Sequence, residues 1–232
     1  MTSKKIRQLL HSQSNPATAK QYKRFFKTEK GDYAENDRFL GIRIPVLRKY
    51  AKEYREILLS EVIPLLQSPY HEERMFALLL LVEKFTKGTP QDKKATYQTY
   101  VKHISRVNNW DLVDTSAPYI VGAYLEDKDR HPLYTWVKSP NLWKRRIAIL
   151  STFHFIRKND FHDALELSSI LLHDKEDLIH KAVGWMLREI GNRDQNVERH
   201  FLNKHHQTMP RTMLRYAIEK FSEKERKKYL NG

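Results

Sequence analysis

Along this 232-residue chain, a long polar side chain is repeatedly followed three residues later by a small one. The instances are Arg74/Ala77, Asp114/Ala117, Arg145/Ala148 and Lys181/Gly184, with a weaker fifth in Leu214/Ala217. Residues three apart share a helix face. Successive small residues are separated by about 30 to 40 positions, the length of a unit of two helices, and that period marks an α-solenoid of HEAT-like type. The small residues let neighbouring helices approach closely. Alanine is common in helices, so coincidence is the competing explanation, and the narrow band of spacings favours repeats.

The rest of the chain agrees with an all-α fold. There are only 7 glycines. Asn15-Pro16, Thr89-Pro90 and Ser139-Pro140 read as N-cap plus first-turn pairs, and Ser222 with Glu225 as a capping box. Apolar residues recur at spacings of three and four, as in Leu78, Leu81, Val82 and Phe85. From Phe26 to Asp37 the periodicity lapses into a polar loop. The expected organisation is a single domain over residues 1–232. It has an N-terminal helical cap and loop over 1–38 and repeats over 39–232, with five two-helix units between about residue 60 and residue 220.

Lys and Arg number 42 against 28 Asp and Glu, a formal charge of +14. Such an excess favours phosphate-rich partners, nucleic acid first. The absence of cysteine excludes disulfides, Cys-ligated zinc, iron–sulfur clusters and a thiol that accepts an alkyl group. No apolar run approaches the roughly 20 residues of a membrane helix, and the first residues lead into no signal-like segment. A cytoplasmic monomer with no membrane contact is expected.

In a curved solenoid the second helices line the concave face. That face is expected to carry Trp110, Asp114, Arg145, Arg146, Lys181, Trp185, Arg188, Arg211 and Arg215. Trp110 and Asp114 are four apart and share a helix face. Pro118 cannot donate an N–H to the carbonyl of Asp114 and is expected to kink the helix there; the plainer reading is that it only sets curvature. Lys144, Arg145 and Arg146 fall in the early turns of a helix opened by Pro140, where a phosphate meets backbone N–H groups and arginine together. Arginines packed through their stems are the alternative. Trp136 and Trp143 read as core, whereas the electron-rich faces of Trp110 and Trp185 suit a cation. No metal-ligand spacing, Gly-rich phosphate loop or nucleophile elbow is present, so neither metal nor cofactor is expected.

Four fragments together resemble the AlkD family. They are Phe39-Leu40-Gly41-Ile42-Arg43-Ile44-Pro45, Trp110-Asp111-Leu112-Val113-Asp114, Leu142-Trp143-Lys144-Arg145-Arg146-Ile147-Ala148, and the run from Lys181 through Trp185 and Arg188 to Glu189. The family comprises bacterial DNA alkylation-repair glycosylases built from HEAT-like repeats, and the resemblance runs from about Phe39 to Tyr229. It implies a catalytic role for Asp114, lesion-facing roles for Trp110 and Trp185, and a DNA-backbone contact for Arg146. Two departures stand out. Asn109 occupies a position where family members of known activity can carry Trp, and the loop before Phe39 is longer.

The chemistry fits the residues. Alkylation at purine N7 or N3 leaves a cationic base that needs no general acid to depart. A carboxylate at Asp114 then stabilises the oxocarbenium-like sugar and positions water. The expected function is therefore hydrolysis of the N-glycosidic bond of cationic N7- or N3-alkylpurines in double-stranded, alkylated DNA. The competing readings are a non-catalytic binder of bent or branched DNA and a scaffold for RNA or an acidic protein.

Overall fold

The computed structural model describes residues 1–231, which contain no strand beyond one isolated bridge between Arg38 and Tyr70. The chain divides into two compact units, Met1–Ile120 and Val121–Gly232. The first holds α1 (Ser3–Ser12), α2 (Pro16–Phe25), α3 (Ile44–Glu53), α4 (Leu59–Leu66), α5 (His71–Lys87), α6 (Pro90–Lys102) and α7 (Trp110–Ala117). The second holds α8 (His131–Trp136), α9 (Leu142–Ser151), α10 (Phe153–Ile156), α11 (His162–Ile170), α12 (Asp177–Gly191), α13 (Gln195–His205), α14 (Arg211–Ala217) and α15 (Glu223–Asn231).

In chain order the helices follow as α4/α5 and α6/α7 in the first unit and as α8/α9, α11/α12 and α13/α14 in the second, five successions between Leu59 and Ala217 as the spacing predicts. Within the units the second helices stack on one another: α5 on α7, α9 on α12, and α12 on α14. Ala77, Ala117, Ala148 and Ala217 are fully buried. Gly184 shows why small residues are needed. A Cβ there would lie 2.4 Å from the Met213 carbonyl oxygen and 2.5 Å from Tyr216 Cβ on α14.

Caps set the helix ends largely as expected. Thr89 and Asp92 form a reciprocal capping box at α6, and the Asn15 side chain accepts from Thr18 N–H ahead of Pro16. Ser139-Pro140 is the exception. Helix α9 starts at Leu142, and its cap is Asn141, whose side-chain oxygen accepts from Trp143 and Lys144 N–H. Ser139 lies two residues back and accepts from Asn141 N–H. Two residues that both form side-chain turns compete here, and the one nearer the first apolar residue caps the helix.

The first turn of α5 holds the first unit together. His71, Glu72, Glu73 and Arg74 are all buried, and each pins a different segment. Glu72 accepts N–H bonds from Leu40, Gly41 and Ile42 at 2.9, 2.7 and 3.3 Å. Gly41 adopts φ +82°, and a Cβ there would lie 2.1 Å from the Asn15 carbonyl oxygen, so only glycine fits that loop. Glu73 accepts from Arg7 and bonds His11, both on α1, at 3.0 and 2.9 Å. Arg74 donates to Asp37 at 2.6 Å and to the Ser68 carbonyl. His71 bridges two carboxylates, Asp37 at 3.0 Å and Asp111 at 2.8 Å.

Burial opposes charge on His71, but the carboxylates of Asp111 and Asp37 outweigh it and hold the imidazole up to about 9. Asp37 is pushed the other way: burial would raise it, and the hydrogen bond from His71 and the charge of Arg74 bring it below the usual range. A cation at a helix N-terminus is disfavoured by the helix dipole, so the two aspartates are what keep His71 charged there.

Two stability outcomes follow from this packing. Gly184→Ala is expected to destabilise the protein by about 1–2 kcal/mol in denaturant unfolding, because a close helix contact is overpacked by more than the helix-propensity gain returns; Gly184→Val should cost more. For His71, the folded pKa lies above the ordinary value of 6.5, so its stabilisation is complete below that value and disappears as pH rises through about 9. Its size is about 3 kcal/mol. The stability difference between wild type and His71→Gln should shrink by that amount between pH 6 and pH 10; a constant difference would refute the bridge.

Candidate nucleic-acid interface and the Trp110 site

Helix α7 is built at its start by Asn109, which is 0% exposed. The Asn109 side-chain oxygen accepts from Trp110 N–H at 2.8 Å, and its amide donates to Asp37 at 3.5 Å. Asp37 closes the loop that precedes Phe39. Asn109 and the loop before Phe39 therefore meet in one hydrogen bond. Asp111, the next residue but one, is fixed by His71 and by its own bond from Leu112 N–H at 2.8 Å. Both ends of this polar network hold the first turn of α7, and hence Trp110.

The indole of Trp110 is half-buried against aromatic rings of the cap. It stacks on Phe26 at 5.4 Å and 27° and meets Phe25 edge-on at 5.7 Å and 70°. Phe26 and Phe39 stack on each other at 5.2 Å, and both lie against His71, at 4.8 and 4.9 Å. Aromatic faces around a protonated imidazole add cation–π attraction to the ion pairs.

Asp114 lies one turn after Trp110 and is half-buried. Its charge helps to raise the phenol of Tyr100, which burial raises most and the bond to Ser116 opposes. After Ala117 the helix widens into a π-helical turn, Pro118–Gly122. Proline has no N–H for the carbonyl four residues earlier, and the backbone accommodates it by this wider turn. Such turns recur at functional sites.

In the second unit Trp185 is half-buried, donates its ring N–H to Glu189 at 3.2 Å and lies 5.8 Å from the ring of Phe153. Trp143 is buried. The basic residues divide by environment. Arg145 makes a two-pronged bond to Asp174 at 2.6 and 3.2 Å and also donates to the carbonyls of Ser139 and Pro140. Arg146 is 4% exposed and donates to the Leu178 carbonyl at the start of α12. Both guanidinium groups, expected at a phosphate, also bond within the second unit, where α9 packs against α12. Lys181 pairs with Asp177 at 2.7 Å, and Arg188 pairs with Glu219. Arg211 is exposed and donates to the Leu230 carbonyl. Arg215 is exposed, and Lys144 is partly so.

Sequence reasoning missed His71, Asp37 and Asp111. Four consecutive charged residues at a helix start look solvated. The one available signal was that His71-Glu72-Glu73-Arg74 leads directly into an unbroken apolar run. Among the described residues, no cluster of three or more His, Cys, Asp or Glu has metal-ligand geometry.

The fold matches solved structures closely in extent but not in sequence. A predicted DNA alkylation repair enzyme from Enterococcus faecalis aligns with a TM-score of 0.72 at 18% identity, covering 91% of this chain and 98% of that one. AlkD2 from Streptococcus mutans aligns with a TM-score of 0.57 at 19% identity, covering 88% and 99%. The smu.31 protein of Streptococcus mutans UA159 aligns at 0.54 and 18% identity, covering 75% and 89%. No curated protein is similar enough to count as a match. Residues 6–221 match the sequence pattern of a family described as DNA alkylation repair enzyme. Since that match spans nearly the whole chain, this protein belongs to the DNA alkylation repair enzyme family.

Proposed function

We propose that the protein is a monofunctional DNA glycosylase that hydrolyses the N-glycosidic bond of cationic N7- or N3-alkylated purines in duplex DNA. The observation that carries this reading is Asp114, a carboxylate one helical turn from Trp110 on a helix that ends in a π-helical turn. A protein that only bound phosphates would gain nothing from a negative charge there.

In the proposed reaction the C1′–N bond breaks and its electron pair leaves with the base, cancelling the positive charge of the alkylated purine. Water adds to C1′ and loses a proton to solvent. Asp114 opposes the positive charge that builds on the sugar and accepts a hydrogen bond from the attacking water. Trp110, one turn from Asp114, favours a cationic base over a neutral one, and the resemblance implies the same role for Trp185. No metal or cofactor is required, because the alkyl group has already made the base a good leaving group. Net charge and the exposed cations supply affinity, with Arg215, Arg211 and Lys144 best placed to reach phosphates and Lys181 and Arg188 contributing once their ion pairs open. Arg145 and Arg146 support α9 from within.

Two experiments bear on this. Duplex affinity should fall steeply with salt, since each phosphate contact releases counterions. Arg215→Ala should make the salt slope shallower by about one and leave stability unchanged. Arg146→Ala should instead lower stability by about 1–3 kcal/mol, the cost of leaving the Leu178 carbonyl without its charged donor. In single-turnover assays, wild type should release 7-methylguanine or 3-methyladenine from methylated duplex. Asp114→Asn should slow release by about 10²–10³ while binding holds or improves. Wild type that binds DNA yet releases neither base would replace this reading with a non-catalytic DNA binder.

A further inference from the structure

Phe25 ends α2 and is 63% exposed. Leaving so large an apolar group in water forgoes about 1.5–3 kcal/mol relative to burying it. Its neighbours Phe26 and Phe39 are buried in the cap, and the Phe25 ring meets Phe26 edge-on at 5.0 Å and 85°. Its other aromatic neighbour is Trp110, at 5.7 Å and 70°. Two rings set nearly at right angles, one of them open to solvent, form an aromatic corner. Both ring faces carry negative charge density, which is how aromatic cages hold alkylated cations. The helix that presents Phe25 carries no acidic residue and exposes Lys20, Lys23 and Arg24, so its charge is complementary to a phosphate backbone.

We infer that Phe25 and Trp110 together form a binding corner for the cationic alkylated nucleobase, with Phe25 the residue that sets preference for a charged base over a neutral one. This rests on the reading that the protein acts on alkylated DNA, and it adds a recognition element in the N-terminal cap. Tyrosine at position 25 keeps the π face, whereas leucine keeps apolar bulk and loses it. The two substitutions therefore separate a cation-binding ring from an apolar wedge that merely props bases apart.

The test is equilibrium binding to two duplexes that differ at one nucleotide. One carries 2′-fluoro-7-methyl-dG, cationic and resistant to excision, and the other carries dG. Wild type and Phe25→Tyr should prefer the cationic duplex, and Phe25→Leu should lose about two- to fivefold of that preference with dG-duplex affinity unchanged. An exposed ring contributes little to folding, and matched melting temperatures for the three proteins would confirm that the comparison is fair. Phe25→Leu keeping the full preference, or wild type showing none, overturns the inference. Because no bond is broken in this assay, its outcome is separate from that of base release. A protein that fails to excise but loses preference in Phe25→Leu would sink the glycosylase reading alone, and one that excises with Phe25→Leu unaltered would sink this inference alone.

Discussion

The first unit depends on a single buried carboxylate, Asp37. It accepts from Arg74 and Asn109 and bonds His71, three side chains from two helix starts. Removing one member of such a buried network leaves an uncompensated charge and typically costs about 3–5 kcal/mol. Through these bonds the polar loop before Phe39 is tied to the first turns of α5 and α7. The loop then brings Phe39 against Phe26 and His71, and α2 places Phe26 against Trp110. The position of the candidate site residue is thus a consequence of an ion network that lies behind it.

This arrangement gives a physical account of Asn109 and of the loop before Phe39. A tryptophan at 109 could not donate to Asp37 and cap α7 at once; the short carboxamide of Asn109 does both. The loop supplies Asp37 to receive it. Asn109 and the loop therefore belong to one local design that supports Trp110.

The second unit is held by different means. Gly184 allows α12 and α14 to touch through backbone and Cβ atoms, and Arg145 and Arg146 join α9 to the segment that leads into α12. The two arginines show how a basic motif is ambiguous in sequence. The same Lys144-Arg145-Arg146 run that suggests a phosphate site supplies two internal struts, since consecutive residues on a helix point about 100° apart and only some of them face solvent.

The sequence by itself determined the helical class, the five two-helix units and the helix carrying Trp110 and Asp114. Periodicity, caps and small-residue spacing are local properties, and the backbone obeys them within a few residues. Ser139-Pro140 marks the edge of that legibility, where Ser139 and Asn141 compete and the cap falls on Asn141. Tertiary structure alone decided which charges are buried. His71, Glu72 and Glu73 find their partners 30 to 66 residues away, and no local pattern distinguishes a carboxylate that meets water from one that meets a distant N–H. It likewise decided that Arg146 turns inward and that Phe25 stays exposed beside Trp110. A side chain's charge and size are written in the sequence, but its solvent is set by whatever the fold brings against it.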